Sequence, residues 1–357
     1  MTEKLKLPLV GALAAVVSVV LVIHGNPGNM GFCIACFLRD TAGALGLHGA
    51  VAVQYARPET IGIILGALIM ALVRKEFSPK GGSAPVTRFV LGVCVMIGAL
   101  IFLGCPLRML LRMAGGDINA LIGLIGFVGG IALGIFFLKK GYTLKRTHDV
   151  SKTDGFALPV VFLLILAALI FIPTILLFSE SGPGAARAPL YLALAAGVIM
   201  GAAGFISRIC FSGGIRDSFM LKNFAMLSGF VTLLVVALIG NIVFGQFSLG
   251  LEGQPIAHTE WIWNILGLGL VGFGSILLSG CPFRQMVLAG SGNSDSAITV
   301  LGMIFGAALA HNLSLASSAA GTTSGGRIGF VVAFVIVLCI AVHNTFFNKK
   351  ETDLSHN

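Results

Sequence analysis

Cysteine and arginine recur together in two sequence motifs, and each motif occurs twice in the chain. The first motif, Cys-x5-Arg-Asp, spans residues 33–40 and again residues 210–217. The second, Gly-Cys-Pro-x-Arg, spans residues 104–108 and again residues 280–284. The two motif cysteines are 72 positions apart in the first copy and 71 in the second. Four matched anchors at nearly equal spacing indicate an internal duplication.

These residue types suit a path for a small anion. A neutral thiol is a weak hydrogen-bond donor that contacts a ligand without holding it, and arginines offset the cost of bringing negative charge into apolar surroundings. The proline after Cys105 and Cys281 suits the first turn of a short helix. Each cysteine then lies at or near an N-cap, where free N–H groups favour an anion. The candidate substrate-path residues are Cys33, Cys36, Cys105, Cys210, Cys281, Arg39, Arg108, Arg216 and Arg284.

Each of these residues also has a structural interpretation. A cysteine can be a small buried hydrophobe, although repetition at motif positions counts against this for the repeated cysteines. The Arg-Asp pairs at 39–40 and 216–217 can pair internally or with neighbours and serve as scaffold, because buried charges are usually paired. The segment 33–36 is the one C-x-x-C of the sequence and could be a redox pair, but no thioredoxin-like pattern surrounds it. Cys94 and Cys339 have no repeat partner, and we expect both in the protein core.

The composition predicts an all-α polytopic membrane protein. Of the 357 residues, 57% are hydrophobic and 10% are charged, whereas charged residues are about 25% of an ordinary soluble domain. Apolar runs of about 20 residues recur along the chain. The first run is not followed by a small-residue cleavage site and is interpreted as a retained helix. The ten predicted spans are 7–24, 59–74, 86–104, 118–138, 157–178, 188–206, 222–244, 260–279, 296–318 and 327–347.

The distribution of basic residues predicts the orientation of these spans. With both termini in the cytoplasm, the basic segments 74–88 and 139–155 and the tail at Lys349 and Lys350 fall inside. Apart from six arginines in the motif segments, fourteen Lys and Arg lie inside and three lie outside, as the positive-inside rule requires. The three outside are Arg57, Arg187 and Arg327. The net charge of +9 therefore reflects membrane topology and does not indicate nucleic-acid binding.

The repeat and the orientation together predict two inverted halves. The motif segments follow spans that end outside in the first half and inside in the second, an arrangement common among secondary transporters. These segments are too short to cross and carry arginine, so we expect short re-entrant helices that face protein or water. The predicted divisions are a first half at 1–140, a basic loop and linking span at 141–187, a second half at 188–320, and a terminal span and tail at 321–357.

The motifs and the inverted halves resemble the YeeE/YedE family of sulfur-compound transporters over nearly the whole chain. The segment 25–40 is most similar to the YedE branch, which is associated with selenium metabolism. The resemblance implies uptake of thiosulfate or a related ion, with cysteines on a central path contacting the ion through transient S–H hydrogen bonds. Family members are described with three essential cysteines. Cys105 and Cys281 are the matching candidates here, with Cys33 as the third.

Two further functions compete with uptake of a thiosulfate- or selenite-like anion. One is a membrane thiol oxidoreductase or sulfur- or selenium-transfer protein that uses Cys33 and Cys36. The other is a membrane scaffold that delivers sulfur or selenium to a soluble cytoplasmic carrier protein. The sequence contains no metal-ligand spacing, catalytic constellation or cofactor motif, so we expect a bacterial inner-membrane transporter with no cofactor and no enzymatic activity. Its expected partners are the small anion, the lipid bilayer and a soluble sulfur-carrier or selenium-metabolism protein.

Overall fold

The computed structural model describes residues 3–347, and this part of the chain is built almost entirely of α-helices. Lys349 and Lys350, predicted to be cytoplasmic, lie outside the described residues. The helices are α1 (Glu3–Ile23), α2 (Ile34–Ala44), α3 (Pro58–Val73), α4 (Pro85–Phe102), α5 (Pro106–Ala114), α6 (Ile118–Lys139), α7 (Lys152–Phe171), α8 (Leu190–Ser207), α9 (Phe211–Leu221), α10 (Ala225–Val243), α11 (Trp261–Leu277), α12 (Pro282–Gly290), α13 (Ser294–Asn312) and α14 (Ser324–Val342). Shorter elements are 3-10 turns at Val51–Val53 and Pro173–Ile175, a π turn at His343–Phe347, and strands β1 (Lys80–Gly81) and β2 (His148–Asp149).

Ten helical segments of the described chain are long and apolar enough to cross a membrane, which confirms the predicted number. The chain is therefore a multi-pass membrane protein. The prediction was least accurate at α7, which begins at Lys152 and ends at Phe171 instead of spanning 157–178. Ser151 caps this helix by accepting the N–H of Asp154 through its side chain, and Pro173 follows the last turn. A local N-cap thus fixed a boundary that hydropathy alone placed too late.

The helices follow the same order in two parts of the chain. In α1–α6 and again in α8–α13, a long helix, a short helix, two long helices, a short helix and a long helix succeed one another. The packing follows the same rule: α1 packs on α10 as α8 packs on α3, and α4 packs on α13 as α11 packs on α6. Exchanging the two parts therefore exchanges the packing partners. The boundaries proposed for the halves, and their inverted orientation, stay predictions.

Glycine allows the paired long helices to approach backbone to backbone. A Cβ added to Gly66 of α3 would lie 2.1 Å from the carbonyl oxygen of Val198 on α8. A Cβ added to Gly126 of α6 would lie 1.9 Å from the carbonyl oxygen of Ile265 on α11. Neither separation is possible for a real side chain, so both positions require glycine. Close approach maximises van der Waals contact, which drives helix association where lipid replaces water.

The loops gather at two opposite ends of the helical bundle. At one end the two basic segments meet, because β1 of the first pairs antiparallel with β2 of the second. The same end includes the start of α13, where Asp295 lies 3.5 Å from Arg88. At the other end, the Ser248 N–H donates to the Gly115 carbonyl at 2.9 Å and the Ser179 N–H donates to the Gln54 carbonyl at 2.7 Å. Both basic segments thus share one end, as the charge distribution requires.

We expect cysteines placed on exposed loop positions at the two ends to react from opposite sides of a membrane. Lys145 lies in the second basic segment and Glu252 in a loop at the other end, and both are exposed. Under the predicted orientation, Lys145→Cys reacts with a membrane-impermeant maleimide only in inside-out vesicles. Glu252→Cys reacts only in right-side-out vesicles, and the parent chain measures background labelling of the native thiols. Labelling of both variants from the same side would contradict this arrangement.

Candidate functional site

Four short helices each begin immediately after a cysteine. The N-cap residues of α2, α5, α9 and α12 are Cys33, Cys105, Cys210 and Cys281, all with extended backbone angles. Proline occupies the first turn after Cys105 and Cys281, so the N-cap position predicted from the Gly-Cys-Pro motif is confirmed. The helix termini therefore present free N–H groups and partial positive charge next to every one of these thiols.

The glycine of this motif makes room for the arginine four residues later. A Cβ added to Gly104 would lie 3.1 Å from the Arg108 side chain, and one added to Gly280 would lie 3.1 Å from the Arg284 side chain. The arginine stem thus folds back over the turn that carries the cysteine. Glycine, cysteine, proline and arginine therefore act together as one structural unit, in which the glycine lets the arginine stem pack against the turn.

The first-half cysteines form one buried cluster. Cys33 and Cys36 are completely buried, and Cys105 is 1% exposed. The Cys33 Sγ accepts the Cys36 N–H at 3.3 Å, and the Cys105 thiol is a near neighbour of the Cys33 thiol. Cys36 is therefore part of the cluster, which the sequence left open. Its Sγ is 3.9 Å from the Leu103 carbonyl oxygen.

Arg108 closes this cluster. Its buried guanidinium donates to the backbone carbonyls of Asn29, Pro255 and Ile256, each at 3.2 Å. It also donates to the Leu103 carbonyl and lies 3.6 Å from the Cys36 Sγ. Its N–H groups are thus directed mainly at backbone oxygens, which compensate a charge buried without a carboxylate partner.

The second-half cysteines form a second cluster of the same design. The Cys210 Sγ accepts the Gly213 N–H at 3.3 Å, as Cys33 accepts the Cys36 N–H. It also accepts the Cys281 N–H at 3.4 Å, which holds the two cysteines side by side. Cys281 is 1% exposed and Cys210 is 7% exposed. The structure therefore brings the five candidate cysteines together in two groups: Cys33, Cys36 and Cys105 in one, and Cys210 and Cys281 in the other.

The second cluster adjoins a polar cavity, whereas the first is sealed. The cavity has a volume of about 210 Å³ and is lined by Cys210, Arg216 and Arg284, among others. Within residues 3–347, Arg284 forms no ion pair with a carboxylate, and its side chain is only partly buried. The two Gly-Cys-Pro-x-Arg arginines thus differ: Arg108 is bound to protein carbonyls, and Arg284 faces open space.

The repeated Arg-Asp pair exists in both halves but in different surroundings. Arg39 donates to Asp40 at 2.7 and 2.9 Å, and both side chains are buried. The other Asp40 oxygen accepts from Arg57 at 2.8 Å, which makes a three-membered buried network. Arg216 donates to Asp217 at 2.9 Å, but this pair is partly exposed, at 33% and 16%.

Several charged residues that the sequence did not single out are buried in the structure. Arg57, counted as an outside loop cation, is completely buried, and it also donates to the Pro183 and Ala186 carbonyls. Arg112 donates to Asp117 at 2.6 Å, and both are buried. The one sequence feature that pointed to this pair was Asp117. It directly precedes an apolar run, as an N-cap residue does, and it caps α6. Nothing local distinguishes a buried arginine from an exposed one at a helix end.

The two remaining cysteines lie outside the two clusters. Cys94 is buried in α4, as expected, but Cys339 is exposed on α14, so the prediction of a core position was wrong there. In a bilayer, an apolar side chain is equally stable facing lipid, and hydropathy cannot separate the two environments. An apolar groove of about 580 Å³ lies between α5, α6, α9 and α10. Within residues 3–347, no three His, Cys, Asp or Glu side chains are grouped to hold a metal ion.

Comparison with known proteins gives two matches. A family model described as sulphur transport matches residues 206–348, the part that contains the second cysteine cluster. The thiosulfate transporter TsuA of Escherichia coli (strain K12) is 29% identical over 107 residues. That alignment covers 29% of this chain and 30% of TsuA, so the match spans less than a third of the relative's length.

We expect the two Arg-Asp pairs to differ in their contribution to stability. Asp40→Asn leaves two buried guanidinium groups without a compensating charge, and breaking a buried pair costs about 3–5 kcal/mol. Asp217→Asn, the same change in the partly exposed pair, costs less than about 1 kcal/mol. Denaturant unfolding of the full chain in detergent measures both values. Equal destabilisation of the two variants would contradict a scaffold role that is specific to Asp40.

Proposed function

We propose that this chain, which belongs to the sulphur transport (YeeE/YedE) family, carries a small sulfur-containing anion across the membrane along a path lined by cysteine thiols. The observation that carries the proposal is the placement of four cysteines at the N-caps of four short helices, in two buried groups. Helix N-termini stabilise anions, and the thiols stand at those termini.

Cys33 and Cys210 use their sulfur atoms to cap the helices that follow them. Each sulfur accepts the N–H of the residue three positions on, at 3.3 Å. The helix engages a sulfur lone pair, and in the proposed path the S–H turns from its protein neighbours, which for Cys210 include the Ser212 hydroxyl at 3.4 Å, to the anion. A weak donor next to a helix terminus binds an ion loosely, which suits passage better than storage. The path would run from the first cysteine cluster to the second, with Arg108 and Arg284 supplying positive charge.

The two cysteine groups belong to halves that we propose to be inverted. The exchange of packing partners between α1–α6 and α8–α13 supports a two-fold relation. The Gly115 carbonyl, just after α5, accepts from the Ser248 N–H in the loop cluster at one end. The Ser291 carbonyl, just after α12, accepts from the Ser78 N–H at the basic end. These contacts support short helices whose cysteine ends point inward from opposite faces, as in re-entrant segments.

The orientation, location and substrate follow as part of the same proposal. The positive-inside rule places the basic end, and with it the second cysteine group, on the cytoplasmic side of a bacterial inner membrane, with both termini inside. Thiosulfate is the named substrate of TsuA and is proposed here as the first anion to test. Selenite-like anions and a soluble sulfur-carrier or selenium-metabolism protein remain proposals that rest on the resemblance of segment 25–40 to the YedE branch.

We expect Cys105→Ala and Cys281→Ala each to reduce thiosulfate uptake by at least about tenfold. One lost hydrogen bond to a charged ligand is worth about 1.5–3 kcal/mol, and tenfold corresponds to about 1.4 kcal/mol. Radiolabelled uptake into proteoliposomes measures the effect. Cys94→Ala is the matched control, because that thiol is buried in α4 away from both clusters.

The same measurement separates transport from thiol chemistry at Cys33 and Cys36. Full activity in both the Cys105 and Cys281 variants would refute the thiol path. An oxidoreductase or transfer protein predicts instead a disulfide or persulfide at Cys33 or Cys36, detectable by mass spectrometry, and indifference to Cys281→Ala.

The preferred anion is identified by competition. We expect unlabelled thiosulfate to compete most effectively with labelled thiosulfate, ahead of sulfate, sulfite and selenite, because thiosulfate combines a soft sulfur atom with an oxyanion group. The Cys105→Ala variant gives the background rate. Stronger competition by selenite would assign the chain to selenium transport, and no competition by any of the four would reject an oxyanion substrate.

A further inference from the structure

The polar cavity beside Cys210 is lined by several basic and hydroxyl side chains. Its volume is about 210 Å³. No Asp or Glu of the described chain lines it, whereas three guanidinium groups and three hydroxyl groups do. These six residues are Arg208, Arg216, Arg284, Ser212, Ser275 and Ser279.

Ser275 supplies a hydrogen-bond donor that the protein leaves unused. Its side chain on α11 is completely buried, yet within the described residues its Oγ has no hydrogen-bond partner. A buried hydroxyl without a partner is unfavourable and is expected to be satisfied by something that occupies the space beside it. Ser275 is one of the residues that line the cavity.

The first half keeps the thiols but has none of these hydroxyl groups. Positions are matched by their distance from the motif cysteines, two after Cys33 or Cys210 and six or two before Cys105 or Cys281. The counterparts are Ala35 for Ser212, Ala99 for Ser275 and Leu103 for Ser279. Duplication alone would preserve apolar or polar character at both ends. The three hydroxyl groups are therefore specific to the second half and are not explained by the duplication.

The arginines show the same difference. Arg108 is directed at four backbone carbonyls and the Cys36 sulfur. Arg284 and Arg208 form no ion pair with a carboxylate of residues 3–347, and both line the cavity. At the position of Cys36 the second half has Gly213, which also lines the cavity. The absence of a side chain there keeps open the space that a thiol fills in the first half.

We propose that this cavity is an oxyanion subsite in which Ser275, Arg208 and Arg284 bind the oxygen atoms of a small tetrahedral anion beside the thiols of Cys210 and Cys281. The inference rests on the proposed function and adds a recognition step to it. The thiols contact the anion on its way through the bundle, and the subsite recognises its oxygen atoms at the second-half end. Guanidinium and hydroxyl donors bind such oxygen atoms strongly, because the bonds are assisted by charge.

The dimensions of the cavity limit what it can take. A volume of 210 Å³ equals that of roughly seven water molecules at about 30 Å³ each. It therefore has room for a sulfate-sized ion with part of its hydration shell. The hydration shell is replaced in part by Ser275 and the arginines, which allows an anion to enter without losing all of its hydrogen bonds at once.

Binding of thiosulfate and of sulfate to the purified full chain in detergent tests the subsite. Both ions carry oxygens on a tetrahedral sulfur, so Ser275→Ala is expected to weaken both affinities by about tenfold or more. Arg208→Gln, at an exposed position, is expected to do the same. Ser228→Ala is the matched control, because that hydroxyl donates at 2.6 Å to the Ala225 carbonyl of its own helix. Isothermal titration measures the affinities, and thermal unfolding checks that each variant is folded.

The outcomes separate the subsite from the transport proposal. Weaker binding of both ions in the Ser275 and Arg208 variants, with Ser228→Ala unchanged, supports the subsite. Parental affinities in both variants overturn it and leave the thiol path standing, provided that thiosulfate uptake depends on Cys105 and Cys281. If Ser275→Ala is unfolded, the result for Arg208→Gln decides. A parent chain that binds neither ion overturns the subsite, and absence of thiosulfate uptake then rejects the proposed function separately.

Discussion

The cost of charge inside an apolar bundle is the constraint on which the rest of this structure depends. A guanidinium group removed from water needs acceptors for its N–H groups and a compensating charge or dipole. Arg39 and Arg57 meet this need by sharing Asp40, and Arg108 meets it with backbone carbonyls. Arg284 has a polar cavity of about 210 Å³ beside it instead. One repeated motif thus produces a closed end and an open end, according to what surrounds each arginine.

The short helices solve a related problem for the backbone. A helix that begins inside a membrane protein exposes N–H groups that no lipid can satisfy. Cysteine at the N-cap satisfies one of them, since the sulfur of Cys33 and of Cys210 accepts the N–H three residues on. Serine or aspartate would cap more strongly but would also place a stronger hydroxyl donor or a negative charge there. A thiol caps the helix and still leaves a weak donor facing the interior.

The frame that holds these helices is made by close packing of long helices. Gly66 and Gly126 let paired backbones touch, so α3 with α8, and α6 with α11, form contacts that cross between the halves. Each half is therefore completed by helices of the other half. The basic loops reinforce this at one end, where β1 and β2 pair and Asp295 of α13 lies beside Arg88. This interlocking holds the two cysteine groups in one frame, although the cavity beside Cys210 is lined by residues of the second half alone.

The amino-acid sequence by itself determined the number of spans, the helical class, the grouping of the basic loops and the N-cap position of Cys105 and Cys281. Hydropathy, charge bias and the Gly-Cys-Pro pattern are local properties, and local physics fixes them. Only the tertiary structure decided that Cys36 joins the first cluster, that Arg57 is buried on Asp40, that Cys339 faces outward and that Ser275 lines a cavity. Each of these depends on which residues of distant segments become neighbours. Burial in a bilayer leaves little trace in hydropathy, because the lipid-facing surface and the interior are equally apolar.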